Sequence, residues 1–119
     1  VSSVEIDRVA EEIRDRFGFL PEPVSNLLLI KKIRLLSVDS AFKAVEVHRG
    51  GATLWLRVQK NQVVVSLVRF YSTMLEEKNY SFTIINNRAG QAGISVKTKS
   101  LSLALEMVEY LFESPGVSL

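Results

Sequence analysis

Cysteine is absent from these 119 residues, histidine and tryptophan occur once each, and proline three times. Without cysteine there is no disulfide framework, no thiolate zinc site and no cysteine nucleophile. A single histidine, His48, cannot supply a pair of imidazole ligands to a metal. No apolar run approaches the length of a membrane span, and no signal-peptide pattern precedes the first predicted element. Lack of cysteine fits a reducing compartment, and a cytoplasmic location is expected. A dominant charge is missing too. Fifteen Lys and Arg against 13 Asp and Glu leave a net +2, and the cations form no basic stripe of the kind nucleic-acid binders carry. Apolar residues, by contrast, make up 47% of the chain, enough for one domain over 1–119 with one core. The chain starts at Val1 and is read as a piece excised from a larger protein.

Hydrophobic spacing predicts a first helix from Ser3 to Phe17. Ser2 and Glu5 have capping-box spacing, and Ile6, Val9, Ala10, Ile13 and Phe17 share one face. Gly18 suits the left-handed position that ends it. After the short link Phe19-Leu20-Pro21-Glu22-Pro23, a second helix is predicted from Pro23 to Ser37. Val24, Leu27, Leu28, Ile30, Ile33, Leu35 and Leu36 give it a wide apolar surface, so it is expected to be the central helix of the core. The period then becomes two. Val45 and Val47, the turn Arg49-Gly50-Gly51, and Leu54, Leu56 and Val58 describe a hairpin with one buried face. Val63-Val64-Val65 favours strand by propensity. Over the longer stretch, Val63, Leu67, Phe70, Tyr71, Met74 and Leu75 fit a helix to Leu75, and helix is the reading adopted. A second hairpin follows. Tyr80, Phe82 and Ile84 alternate, Asn86, Asn87 and Gly90 turn the chain, and Ile94 and Val96 alternate on the return. A last helix, Leu101 to Phe112, turns Leu101, Leu105, Val108, Leu111 and Phe112 inward and stops at Ser114-Pro115-Gly116. The order α-α-β-β-α-β-β-α implies an α+β domain: one four-stranded antiparallel sheet with helices packed on one face. Val45, Val47, Leu54, Leu56, Phe82, Ile84, Ile94 and Val96 are expected to be its buried face.

Searching the same residues for chemistry yields little. Gly50-Gly51 lacks the Lys-Ser/Thr and helix of a phosphate-cradling loop. His48 reads as a solvent-side strand residue. Glu76, Glu77, Glu106, Glu109 and Glu113 read as solvated charges near helix ends or on polar faces. No catalytic, cofactor or metal site is expected, and the domain alone is not expected to be an enzyme. Trp55 lies opposite the apolar alternation of its strand, so it is either covered by another element or a binding anchor. On the first helix, Arg8, Glu11, Glu12 and Asp15 face away from the apolar stripe. Glu12 can pair with Arg16 at i,i+4. Asp15 sits in the last turn, where the helix dipole disfavours an anion by about 0.3–1 kcal/mol, and Glu11 repels it. A residue that local stability does not explain is a candidate for serving a partner.

The stretch Glu12-Ile13-Arg14-Asp15-Arg16-Phe17-Gly18, continuing through Phe19-Leu20-Pro21-Glu22-Pro23-Val24 to Leu27-Leu28, resembles a segment near the C-terminus of bacterial transcription-repair coupling factors (Mfd). That family shows an acidic residue, two intervening positions, Asp-Arg-Phe-Gly, a link with Pro and a Leu-rich helix. The later elements match it in order. Two places depart: Ala41 stands where the family often has Gly, and Gln59 to Gln62 lacks the usual Pro. The resemblance implies that this is the C-terminal regulatory domain of a parent protein that is an ATP-driven DNA translocase, binds RNA polymerase and DNA, and recruits excision repair through UvrA. It implies a domain without cofactors that docks in cis on the parent's own UvrB-like module and masks the UvrA-binding surface. Glu12, Asp15 and Arg16, with Arg8 and Glu11 beside them, would then lie at or near the interface, and the isolated domain would be monomeric. Two other readings stand beside it. One is a nucleic-acid contact module using Lys31, Lys32, Arg34, Arg57, Lys60 and Arg69. The other is a small-molecule-sensing α+β domain.

Overall fold

Two helices, a hairpin, a helix, a second hairpin and a last helix follow one another as predicted in a computed structural model that describes residues 2–38, 40–57 and 61–113. The first helix, α1 (Ser3–Phe17), is built by local chemistry. Ser2 is extended, and its Oγ accepts a hydrogen bond from the Glu5 N–H at 3.2 Å. Gly18, at φ +80°, closes the helix by donating its N–H to the Arg14 carbonyl at 2.8 Å. Ser2→Ala is therefore expected to lower the unfolding free energy by about 1 kcal/mol. The midpoint of a denaturant melt measures this, and an unchanged midpoint would show that the cap contributes nothing.

The second helix, α2 (Glu22–Ser37), carries Pro23 in its first turn. Strands β1 (Phe42–His48) and β2 (Gly51–Leu56) form the first hairpin, α3 (Asn61–Glu77) follows, and β3 (Ser81–Asn86) and β4 (Ala92–Lys97) form the second. The sheet order is β1-β2-β4-β3, all antiparallel, so the return strands of the two hairpins pair with each other in the middle. The last helix is α4 (Leu101–Glu113). Both hairpin turns are secured by side chains. His48 Nδ1 accepts from the Gly50 N–H at 3.2 Å, and Asn87 Oδ1 accepts from the Ala89 and Gln91 N–H groups at 3.0 Å each. Residues 63–75 are helical, as their spacing predicts, and α3 is followed by a left-handed residue, Asn79 at φ +60°. Beyond it the Tyr80 N–H reaches back to the Leu75 carbonyl at 3.0 Å.

One core joins the sheet to α3 and α4. Leu54 and Leu56 of β2 and Ile94 and Val96 of β4 meet Leu67, Tyr71 and Leu75 of α3 and Leu105, Val108 and Leu111 of α4. Phe42 lies within it, its ring centroid 4.7 Å from Tyr71 and 5.5 Å from Phe112. Three expectations are corrected here. The central helix is α4, not α2. Ala104, Leu105, Met107, Val108 and Leu111 are all buried on α4, whereas α2 buries only Lys32 and Ile33. The reason is layering: α4 packs on both α2 and the sheet, while α2 lies between α4 and α1 and leaves Leu27 and Leu35 at the surface. The expected buried face of the sheet is complete only on its middle strands. Val45, Val47 and Phe82 on the edge strands are half-buried, and Ile84 is 41% exposed, because the two helices cover the centre of the sheet better than its rims. The apolar stripe of α1 is also only partly used. Ile6 is buried, Ala10 and Ile13 are half-buried, and Val9 and Phe17 are exposed, since α1 packs mainly on α2. Trp55 is half-buried on the sheet face away from the core, with its ring over Gly93, where an added Cβ would meet ring carbons at 2.7 and 3.0 Å. Val58, Lys60 and the stop Ser114-Pro115-Gly116 lie outside the described residues.

Candidate functional site

All five predicted site residues, Arg8, Glu11, Glu12, Asp15 and Arg16, are exposed on α1. At about 100° per residue, Arg8, Glu12 and Asp15 share the side turned away from Ile6, with Glu11 and Arg16 on its two margins. The ion pairing differs from expectation. Arg14 donates to Glu11 at 2.6 Å, an i,i+3 pair, and the Glu12–Arg16 pair is not made. Glu11 is satisfied one turn along its own helix. Among the described residues, Arg8, Glu12, Asp15 and Arg16 thus keep their charges unspent inside the domain. Asp15 stands in the last turn, beside carbonyls that disfavour it. Such a face can accept cations at Glu12 and Asp15 and donate a planar fork from Arg16.

What holds this face in place is a cluster that spacing alone did not reveal. Lys32 of α2 is buried, and its Nζ lies 2.7 Å from Glu113, 3.0 Å from Glu109 and 3.2 Å from Asp7. Asp7 belongs to α1 and the two glutamates to α4, so one ammonium ties three helices together. Burial opposes its charge, but hydrogen bonds to Glu113, Glu109 and Asp7 outweigh that and hold the ammonium well above the usual lysine range. Glu109 and Glu113 are therefore structural acids and not the free solvated charges expected of them, while Glu76, Glu77 and Glu106 are exposed as expected. One signal in the sequence pointed to the cluster. Lys32 falls within the apolar run of α2, next to Ile33, and Glu109 and Glu113 repeat at the i,i+4 spacing of one helix face.

The same geometry removes cations from the nucleic-acid reading. Lys32 is enclosed by carboxylates. Arg57 donates from Nη2 to the carbonyls of Phe42 at 2.9 Å and Ser37 at 3.4 Å, and from Nε to that of Ser40 at 3.4 Å, pinning the end of α2 to the start of β1. For a small ligand, a cleft of about 230 Å³ opens between α1, α2 and α4, but its buried charge, Lys32, is already met by acids. Among the described residues no group of three or more His, Asp or Glu side chains is placed to hold a metal, and no helix is long and apolar enough to cross a membrane.

Comparison with known proteins gives one match. The family model of the TRCF domain matches residues 1–67. That span contains α1 with its charged face, α2, the first hairpin and the start of α3; the second hairpin and α4 lie beyond it. No curated protein and no solved structure matches the chain.

Proposed function

Because this chain belongs to the TRCF domain family, the domain of transcription-repair coupling factors, with a role in transcription-coupled DNA repair, we propose that it is a non-catalytic regulatory domain acting by autoinhibition. It docks through α1 on the UvrB-like module of its own parent protein and masks the surface that UvrA binds. The parent is an ATP-driven translocase in this reading, working in the cytoplasm on stalled RNA polymerase. The observation that carries the proposal is the set of unspent charges Glu12, Asp15 and Arg16 on a helix face that the domain's own fold does not use. They fall in the matched span and in the Glu-x-x-Asp-Arg-Phe-Gly motif. Docking of this kind needs a closed state favoured by only a few kcal/mol.

The test is Glu12→Ala with Asp15→Ala in the full-length parent protein, read by UvrA capture. Truncating one partner of a hydrogen-bonded interfacial charge pair costs about 2–5 kcal/mol when it is buried. With both acids exposed on the outer face of α1, the lower end, about 2 kcal/mol, corresponds to docking weakened about thirtyfold. UvrA capture should rise accordingly. The domain's own melting temperature should stay unchanged, since exposed substitutions alter stability by about 0.5 kcal/mol or less. Unchanged capture by a normally folded variant would remove these residues from the interface, and early melting would make them structural.

A further inference from the structure

Beside the charged face, α1 leaves an apolar flank uncovered. Val9 is 44% exposed, Ile13 half-buried and Phe17 65% exposed, at the i, i+4, i+8 spacing that puts them in one row. Phe19, in the link just past the left-handed Gly18, is 62% exposed. Two large aromatic side chains two positions apart, both mostly in water beside Val9, make an apolar patch and not a lone exposed residue. Glu12 and Arg16 border the row, one turn apart on the same side of the helix.

We propose that Val9, Ile13, Phe17 and Phe19 form the apolar half of the docking surface, seated against a protein surface that offers arginine bordered by apolar side chains. The inference rests on the docking reading above and adds its anchor. Charge complementarity selects the partner. A guanidinium answers the unspent carboxylate of Glu12 with a bidentate pair and, being planar and weakly hydrated, tolerates the apolar surface of Val9 and Ile13 that Glu12 borders. An aromatic row flanked by charges is also the usual composition of an interface centre with its polar rim. The acids provide register and the phenylalanines provide the desolvated contact.

The experiment uses the full-length parent protein in three forms: unsubstituted, Phe17→Ser with Phe19→Ser, and Glu12→Ala with Asp15→Ala. Equilibrium capture of UvrA is the readout. The phenylalanine variant is expected to raise capture about tenfold or more, and the rise should persist at high salt, where the charged pairs are screened. If only the acidic variant raises capture, the apolar anchor is overturned and the docking reading stands. If neither does, both fall. If only the phenylalanine variant does, the anchor stands and Glu12 and Asp15 leave the interface. Should the double serine variant fold poorly, Phe19→Arg alone decides the matter. It lies in the link, spares α1, and places a cation against the expected arginine. Capture must rise for the proposal to survive, and unchanged capture overturns it.

Discussion

Gly51→Ala is expected to stop the domain from folding to its native sheet. Gly51 sits where the first hairpin meets β4, at φ +145°, a conformation other residues rarely adopt. A Cβ there would lie 1.9 Å from the Val96 carbonyl oxygen and 2.9 Å from its carbon. Both atoms are backbone, so neither can swing aside. Relief requires β2 and β4 to part where Gly51 faces Lys97 and where the Thr98 N–H donates to the Gly50 carbonyl at 3.0 Å. The separated strands are the two that bury Leu54, Leu56, Ile94 and Val96. Backbone strain of about 1–3 kcal/mol, about 1 kcal/mol for each hydrogen bond lost and loosened packing together reach about 5 kcal/mol, comparable with the whole stability of a small domain. Gly50→Ala is the control, because its Cβ would meet only the His48 ring, at 3.5 Å or more. Circular dichroism melts of the two variants should separate widely. Equal melts would mean that the sheet does not close on Gly51 in this way.

Lys32→Met is the second large effect, expected at about 2–3 kcal/mol. Methionine keeps the apolar stem and most of the length but removes the charge, leaving Asp7, Glu109 and Glu113 to face one another. Breaking a fully buried pair costs about 3–5 kcal/mol. Here the acids are 62%, 24% and 47% exposed and can rehydrate, which lowers the figure. The pH dependence carries a sign. The folded pKa of Lys32 is raised above the ordinary 10.5, so the stabilisation is fully present below that value and is lost as pH rises through the folded pKa. Tyr71 acts in the same direction, because burial raises its phenol above 10.0. The melting temperature should therefore fall on the alkaline side of about pH 10, less steeply in Lys32→Met and in Tyr71→Phe. A Lys32→Met profile parallel to that of the parent chain would rule out the clamp. The substitution also tests how α1 is held: freeing Asp7 should loosen the helix that carries Glu12, Asp15 and Phe17. Lowered stability accompanies any gain in UvrA capture here, which sets it apart from the Glu12→Ala, Asp15→Ala variant.

The features of this domain that a reader could take from the chain are those made by neighbours in sequence. Ser2 and Glu5 lie one turn apart, so the start of α1 is a local event, as are its stop at Gly18 and the two hairpin turns. The long run from Val63 to Leu75 is helical because 3.6-residue spacing over several turns outweighs the strand preference of three valines. The motif from Glu12 to Gly18 is contiguous too, so the family was readable there, and the charged face with it. Features made by distant residues were not readable. That β2 pairs with β4, that α4 rather than α2 is the central helix of the core, and that Ile84 emerges at a rim all depend on how layers stack. Lys32 shows the difference most clearly. In the chain it is one cation among fifteen, and only the approach of α1 and α4 to α2 brings Asp7, Glu109 and Glu113 within 3.2 Å of it. Phe17 and Phe19 show the reverse. Their spacing places Phe17 on a core-facing stripe, yet α1 packs mainly on α2, so much of the apolar surface that periodicity assigns to the interior remains in water. Periodicity states which side of a helix is apolar, whereas the number of elements that reach that side is decided by the packing of the whole domain.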